Sequence, residues 1–238
     1  MKSTFRRTAS NVLRAVKNYG AEPTYAQCGE DVIANFLLTD ILKLPRISYI
    51  DIGAHHPIHF SNTYLFYKLG HRGVCIEPDP DLAAAIRKTR PGDTCLNVGV
   101  GTAGNSAADF YVMTTRTLNT FSSEEAKRYA SYGTQKIERV IKIPLVPLND
   151  IIGKYFSGSP NFVSLDIEGM EVQVLESLDF NRYRPEGFCI ETLTYTEDYT
   201  EAKVEEIGKL MARNGYTVYA DTYINTIYVD DIAWKKRK

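Results

Sequence analysis

The sequence predicts a single α/β domain: a mostly parallel sheet with helices on both faces and one small inserted excursion. Short apolar runs alternate with amphipathic stretches over residues 47–100 and again over 148–229, the pattern of β-α-β units joined by right-handed crossovers. No internal repeat, low-complexity segment or Pro/Gly-rich linker interrupts the 238 residues, a length that one generous core can serve.

Residues 1–24 are basic (Lys2, Arg6, Arg7, Arg14, Lys17) and lack the apolar stretch of a secretory signal. Helical spacing over 4–18 makes them an N-terminal helix or solvated leader, with weak membrane-surface contact as the alternative. The domain proper spans 25–232. Its first helix runs to residue 44 with Glu30 and Asp31 in the first turn, where acidic groups complement exposed amides. Pro45 stops that helix, and strand 47–52, helix 63–69, strand 73–77, helix 79–90 and strand 94–100 follow. In helix 79–90, Asp81 comes early and Arg87, Lys88 and Arg90 late, as the macrodipole favours.

The pattern then loosens into an excursion over about 105–147: strand 107–113, loop 118–121, helix 124–132 and strand 139–145. It is too short for a core of its own, and such excursions carry specificity. Regular order returns with helix 148–156, strand 162–167, helix 170–178, strand 187–191, helix 200–214 and strands 216–220 and 226–229, before a basic tail at 233–238.

A formal net charge of −1 argues against nucleic acid as the main partner. No run of about 18 apolar residues predicts a transmembrane helix. Cys28, Cys75, Cys95 and Cys189 show no CxxC spacing and read as free thiols of a reducing compartment, the cytoplasm.

Strand ends of a parallel sheet converge on one edge. Here they bring Asp51, Glu77, residues 97–99, Asp166 with Glu168, and Glu191. Like charges so gathered need a cation, hydrogen-bond donors or a cationic ligand. The G-x-G-x-x-G loop for a dinucleotide pyrophosphate is missing. A ligand with hydroxyls, an amine and a positive centre suits this edge. Glu77, one strand-helix-strand after Gly53, stands where such sheets bind ribose hydroxyls, with Pro78 and Pro80 fixing its backbone.

Taken in order, Asp51-Ile52-Gly53-Ala54, Ile76-Glu77-Pro78 and Leu165-Asp166-Ile167-Glu168-Gly169 resemble the S-adenosylmethionine-dependent methyltransferases of the FkbM family. Residues 25–31, Ser61-Asn62-Thr63-Tyr64 and Tyr223-Ile224-Asn225-Thr226 resemble one small subgroup of it. The resemblance implies a seven-stranded, Rossmann-like class I sheet with the last strand antiparallel, and O-methylation of a hydroxyl, often on a sugar. It puts Asp51 and Gly53 beside the methionine portion, Glu77 on the ribose, Val98 near the adenine, and Asp166 by the amino group or transferred methyl. Gln27, Asn62, Thr63 and Pro78 are further cofactor candidates. His55 stands where many relatives have a second glycine.

Methyl transfer from a sulfonium needs alignment and a route for the hydroxyl proton. His55 and His56 are the candidate bases, with Asp166 as a further catalytic group. Alternatively Asp166, Glu168 and Glu191 offer hard oxygen ligands to Mg²⁺ or Ca²⁺. Tyr64, Tyr195 and Tyr223, with Asn119 and Thr120 at the excursion's tip, are candidate contacts for a small-molecule or saccharide acceptor. Two other readings stay open: an NAD(P)-dependent oxidoreductase on the same kind of sheet, and a binding module without chemistry.

Overall fold

In the computed structural model, which describes residues 23–101, 106–194, 196 and 200–237, the chain runs α1 (Glu30–Asn35), β1 (Ser48–Ile52), α2 (Tyr64–Lys68), β2 (Arg72–Ile76), α3 (Pro80–Thr89), β3 (Thr94–Leu96), β4 (Gly99–Gly101), β5 (Ala107–Met113), α4 (Ser123–Ser131) and β6 (Ile137–Pro147). It continues with α5 (Leu148–Tyr155), β7 (Phe162–Leu165), α6 (Glu171–Ser177), β8 (Gly187–Glu191), α7 (Glu205–Arg213), β9 (Tyr216–Asp221), β10 (Asn225–Asp230) and α8 (Asp231–Lys236). A seven-stranded sheet has the order β3-β2-β1-β7-β8-β10-β9. β10 is antiparallel to both β8 and β9, while the other pairings are parallel.

The central strands read as unbroken apolar runs because both their faces are covered. With a side-chain period of two, Ile50, Ile52, Val163, Leu165, Phe188 and Ile190 face one layer, which holds the apolar sides of α5, α6 and α7. Tyr49, Phe162 and Cys189 face the other, against Ala34, Leu37, Leu38 and Phe66. Cys75, Cys95 and Cys189 are buried, Cys28 is exposed, and all four are free thiols.

Several elements differ from expectation. The run 94–100 is two strands: the Asn97 amide donates to the carbonyls of Glu77 (2.9 Å) and Pro78 (2.7 Å). Beyond it, β4 leaves the main sheet to pair with β6. β4, β6 and β5 form a separate three-stranded sheet. The excursion also has two small apolar clusters, around Met113 and Tyr129 and around Phe110 and Ile143, so it carries more core than its length suggested. The helix expected over 200–214 starts at Glu205, because Val204 N–H is held by Thr192 O (2.8 Å) and Thr194 N–H by Ala202 O (3.0 Å). The first helix continues into a π-helical turn, Phe36–Ile41. Part of the expected tail is helical, capped by Asp230 on Ala233 N–H (3.0 Å). The expected N-terminal helix lies outside the described residues. Among the described residues no helix is long and apolar enough to cross a membrane.

A buried polar knot underlies the end of β1. Arg90, fully buried, pairs with Asp93 (2.8 Å) and Asp51 (4.0 Å). It also donates to Thr63 Oγ1 (2.9 Å) and Tyr49 Oη (3.2 Å). Burial pushes the Asp51 carboxyl up, and Arg90 with the Thr63 hydroxyl (2.5 Å) oppose that. Removing one partner of a buried ion pair strands the other. Arg90→Met is therefore expected to lower unfolding free energy by about 3–5 kcal/mol in urea denaturation, with Arg90→Lys recovering part of the loss. A loss below about 1 kcal/mol, the level of a surface pair, would show that the knot is not structural.

Candidate active site

The strand ends meet because Gly53 lets them. Its φ is 81°, and a Cβ there would stand 1.8 Å from the carbonyl oxygen of Asp166, so only glycine fits. Gly53 and Ala54 N–H both donate to Ile76 O (3.0 and 3.1 Å), which turns the chain over the end of β2. His55 follows at φ 47°, a left-handed conformation uncommon for a residue with a side chain.

That turn aims His55 N–H at Glu77 Oε2 (2.7 Å), while Asp79 N–H takes Oε1 (2.8 Å). Burial pushes the Glu77 carboxyl up to about 8, against the pull of these two amides. Beyond β7, Glu168 (φ 55°) and Gly169 (φ 98°) form a left-handed turn. The buried Glu171 carboxylate holds this turn by accepting Ile167 N–H (2.8 Å) and Gly169 N–H (3.0 Å). The turn is thus held by Glu171 and not by the two acids of the Asp166-Ile-Glu168 step. Asp166, Glu168 and Glu191 each bring an oxygen within 4.8 Å of the others. Burial raises all three above the usual carboxylate range; the neighbouring Glu171 adds to this for Asp166, and Asp166 adds to it for Glu168 and Glu191.

One cavity of about 760 Å³, its open mouth included, is lined by Gln27, Gly53, His55, Glu77, Pro78, Asn119, Thr120, Asp166, Glu168 and Glu191. Most sequence candidates therefore converge. Others serve the walls. Asp51 turns into the Arg90 knot with Thr63, and Asn62 donates to Ser164 Oγ (3.2 Å) beneath the floor. Val98 packs on the core face of the sheet. Tyr64 sets its ring against Tyr25 (4.8 Å), and exposed Tyr223 donates to Glu201 (2.9 Å). Neither lines the cavity. Tyr195 lies outside the described residues.

The two histidines separate cleanly. His56 Nδ1 accepts Ile58 N–H (3.1 Å) and His59 N–H (2.9 Å), so this ring braces a turn. The His55 ring makes no hydrogen bond among the described residues. Burial and then the neighbouring His56 lower its pKa, so it is a neutral imidazole at the cavity wall.

The sequence named Asn119 and Thr120 as acceptor contacts and did not single them out as fastenings of the excursion. Buried Asp79 accepts from Asn119 (3.3 Å) and lies 3.6 Å from both Arg116 and Arg139. Thr120 Oγ1 donates to Glu168 O and Tyr129 Oη to Glu168 Oε2, both at 3.1 Å. Asp79 carried a visible signal, as the N-cap of α3; the two arginines carried none. The three subgroup segments also meet: Ser61 N–H donates to Tyr25 O (3.0 Å), Tyr25 N–H to Asp31 (2.7 Å), and Asn225 to Glu30 (3.1 Å). They tie down a strap that presents Gln27 to the cavity.

A second cavity of about 890 Å³, its open mouth included, adjoins the first, sharing Gly53, Pro78, Phe121 and Ile167. Its walls are mostly apolar, with Ile52, Ile76, Val100, Leu145 and Met170. An acidic chamber joined to an apolar one suits a ligand with a cationic, hydroxyl-bearing part and a flat base.

Residues 51–218 match the family described as Methyltransferase FkbM domain. No curated protein matches the chain. Among solved structures, a TehB-like SAM-dependent methyltransferase from Corynebacterium glutamicum is 9% identical with a TM-score of 0.42, over 96% of this chain and 99% of that one. The O-methyltransferase from Bacillus cereus in complex with SAH is 13% identical with a TM-score of 0.43, over 93% and 89%. Likenesses so distant carry no argument about chemistry. The family match does, because it spans more than half of the chain and takes in Asp51, Glu77, Asp166 and Glu191. It sets aside the nicotinamide and non-catalytic readings: the chain belongs to the FkbM family of S-adenosylmethionine-dependent methyltransferases.

Proposed function

We propose that the protein methylates a hydroxyl of a saccharide acceptor, with His55 taking the hydroxyl proton. The observation that supports this is the neutral His55 imidazole, free of hydrogen bonds among the described residues, on the same cavity wall as Gly53, Glu77 and Asp166. When bound, the cofactor supplies an electrophilic methyl on a sulfonium: a C–O bond forms to the acceptor as the C–S bond breaks, and S-adenosylhomocysteine leaves.

The chain's own groups then have distinct tasks. Glu77 accepts the ribose hydroxyls, and its two backbone amide bonds hold it in position. Gly53, Gln27 and Asp166 surround the methionine end, where the carboxylates balance the positive charge. Pro78 and Ile167, shared by both chambers, flank the adenine. Asp51, Asn62 and Thr63 act from behind by fixing the end of β1. The side chains of Asn119 and Thr120, acceptor candidates in the sequence, are engaged in fastening the excursion to Asp79 and Glu168.

The three carboxyl oxygens within 4.8 Å support a second reading of the proton's route. Asp166, Glu168 and Glu191 fit Mg²⁺ or Ca²⁺ as hard oxygen ligands, and such an ion lowers the pKa of a bound hydroxyl. Prior chelation separates the two readings: with His55 as base, EDTA-treated protein keeps its turnover, whereas loss of turnover restored by Mg²⁺ assigns the proton's release to the trio.

His55→Ala is expected to lower kcat by about 10²–10⁴-fold while S-adenosylmethionine affinity stays within about twofold. The base works only when neutral, and burial lowers its pKa, so wild-type kcat is lost as pH falls through a value below the ordinary 6.5 of imidazole. A limb at higher pH, or one that persists in His55→Ala, would contradict the assignment.

A further inference from the structure

Beside the acidic cavity lies a groove of about 830 Å³, its open mouth included, lined by Thr24, Tyr25, Ala26, His55, His56, His59 and Phe60. His55 and Phe60 belong to both spaces, so a molecule whose hydroxyl reaches the imidazole has room for its body there. No carboxylate lines this groove, in contrast to the cavity it joins.

Phe60 sits at the shared lip with 59% of its surface exposed and a φ of 57°. An aromatic residue gains nothing from the left-handed region, and a conformation of this kind persists only where neighbours impose it. Here they do. His56 Nδ1 accepts from His59 N–H (2.9 Å), and Ser61 N–H is tied to Tyr25 O (3.0 Å). These bonds clamp residues 59–61 from both sides. Opposite, Tyr25 is set by Lys68 on its hydroxyl (2.6 Å) and by the edge of Tyr64. The His56 and His59 rings lie 4.8 Å apart. The fold thus holds a strained, exposed ring and three further rings around a slot that His55 also lines.

We infer that this groove is the acceptor subsite, in which Phe60 and the Tyr25, His56 and His59 rings hold the sugar ring whose hydroxyl faces His55. The inference rests on the saccharide reading above. A pyranose presents C–H faces and a rim of hydroxyls; flat rings cover the former, and imidazole nitrogens and the Tyr25 hydroxyl meet the latter. Tyr64 thereby enters acceptor binding indirectly, by setting Tyr25.

The test uses the full chain saturated with S-adenosylhomocysteine, with methyl glycosides of common hexoses and 6-deoxyhexoses as probes in saturation-transfer NMR. Wild-type protein is expected to saturate ring protons of at least one glycoside. Phe60→Ala is expected to weaken that glycoside about three- to tenfold with S-adenosylhomocysteine affinity unchanged. Phe60→Gly is expected to weaken it equally while raising the melting temperature, since glycine relieves the left-handed backbone. A glycoside that binds wild type and both variants alike overturns the subsite and leaves the saccharide reading standing. Absence of binding by every glycoside to wild type overturns both.

Discussion

Carboxylates gathered at the dry edge of a sheet repel one another and resist ionisation, and this molecule gathers more of them than its fold needs. Each acid is managed differently. Asp51 is balanced by buried Arg90. Glu171 spends its oxygens on two backbone amides of the turn above it. Glu77 takes two amides and is still pushed up to about 8. Asp166 and Glu191 lie against one another, and Glu168 leans on Tyr129. Glu77, Asp166, Glu168 and Glu191 line the cavity, and among the described residues none of them has an ion pair of the kind that balances Asp51. A sulfonium with an ammonium and two ribose hydroxyls supplies what that edge lacks: positive charge and donors.

The excursion completes the site. By fastening to Asp79 on one side and Glu168 on the other, it roofs the strand ends and encloses the apolar chamber with Phe121, Val100 and Leu145. Both anchors are close to acids that line the cavity: Asp79 N–H donates to Glu77, and Glu168 follows Asp166 by two residues. The roof and the floor of the cavity therefore share their fixings, and a change at either anchor is felt in both.

Much of this was legible in the sequence. Strand-end positions of Asp51, Glu77, Asp166 and Glu191 followed from alternation and length, because the periods of strand and helix are set by the backbone alone. The reasons for particular residues were not. Gly53 reads as a turn glycine, but its necessity lies in the Asp166 carbonyl, more than a hundred residues away in the chain. Arg90 has the sequence signature of a helix-end base and turns out to be a buried ion pair. The sequence marks His55 only as a replacement for a glycine; that its ring is left free of hydrogen bonds among the described residues, while His56 Nδ1 is captured by a turn, comes from the structure. The strand over 94–100 divides because one amide, Asn97, finds two carbonyls, a contact no local pattern encodes. Phe60 has no motif, since its role comes from a backbone angle.

The central claim is that the acidic strand ends select S-adenosylmethionine through Glu77 and its ionisation. Calorimetric titration of S-adenosylmethionine into wild type and Glu77→Ala, at pH 6.0 and 7.5, tests it most directly. In wild type, Glu77 holds a proton below about 8 that binding must displace, so affinity is expected to rise with pH, by up to about tenfold per unit for one proton. In Glu77→Ala, binding is expected to be about 10- to 100-fold weaker at pH 7.5, the worth of charged hydrogen bonds to two hydroxyls, and flatter with pH. Equal affinity in the two proteins, with no dependence on pH, would contradict the account.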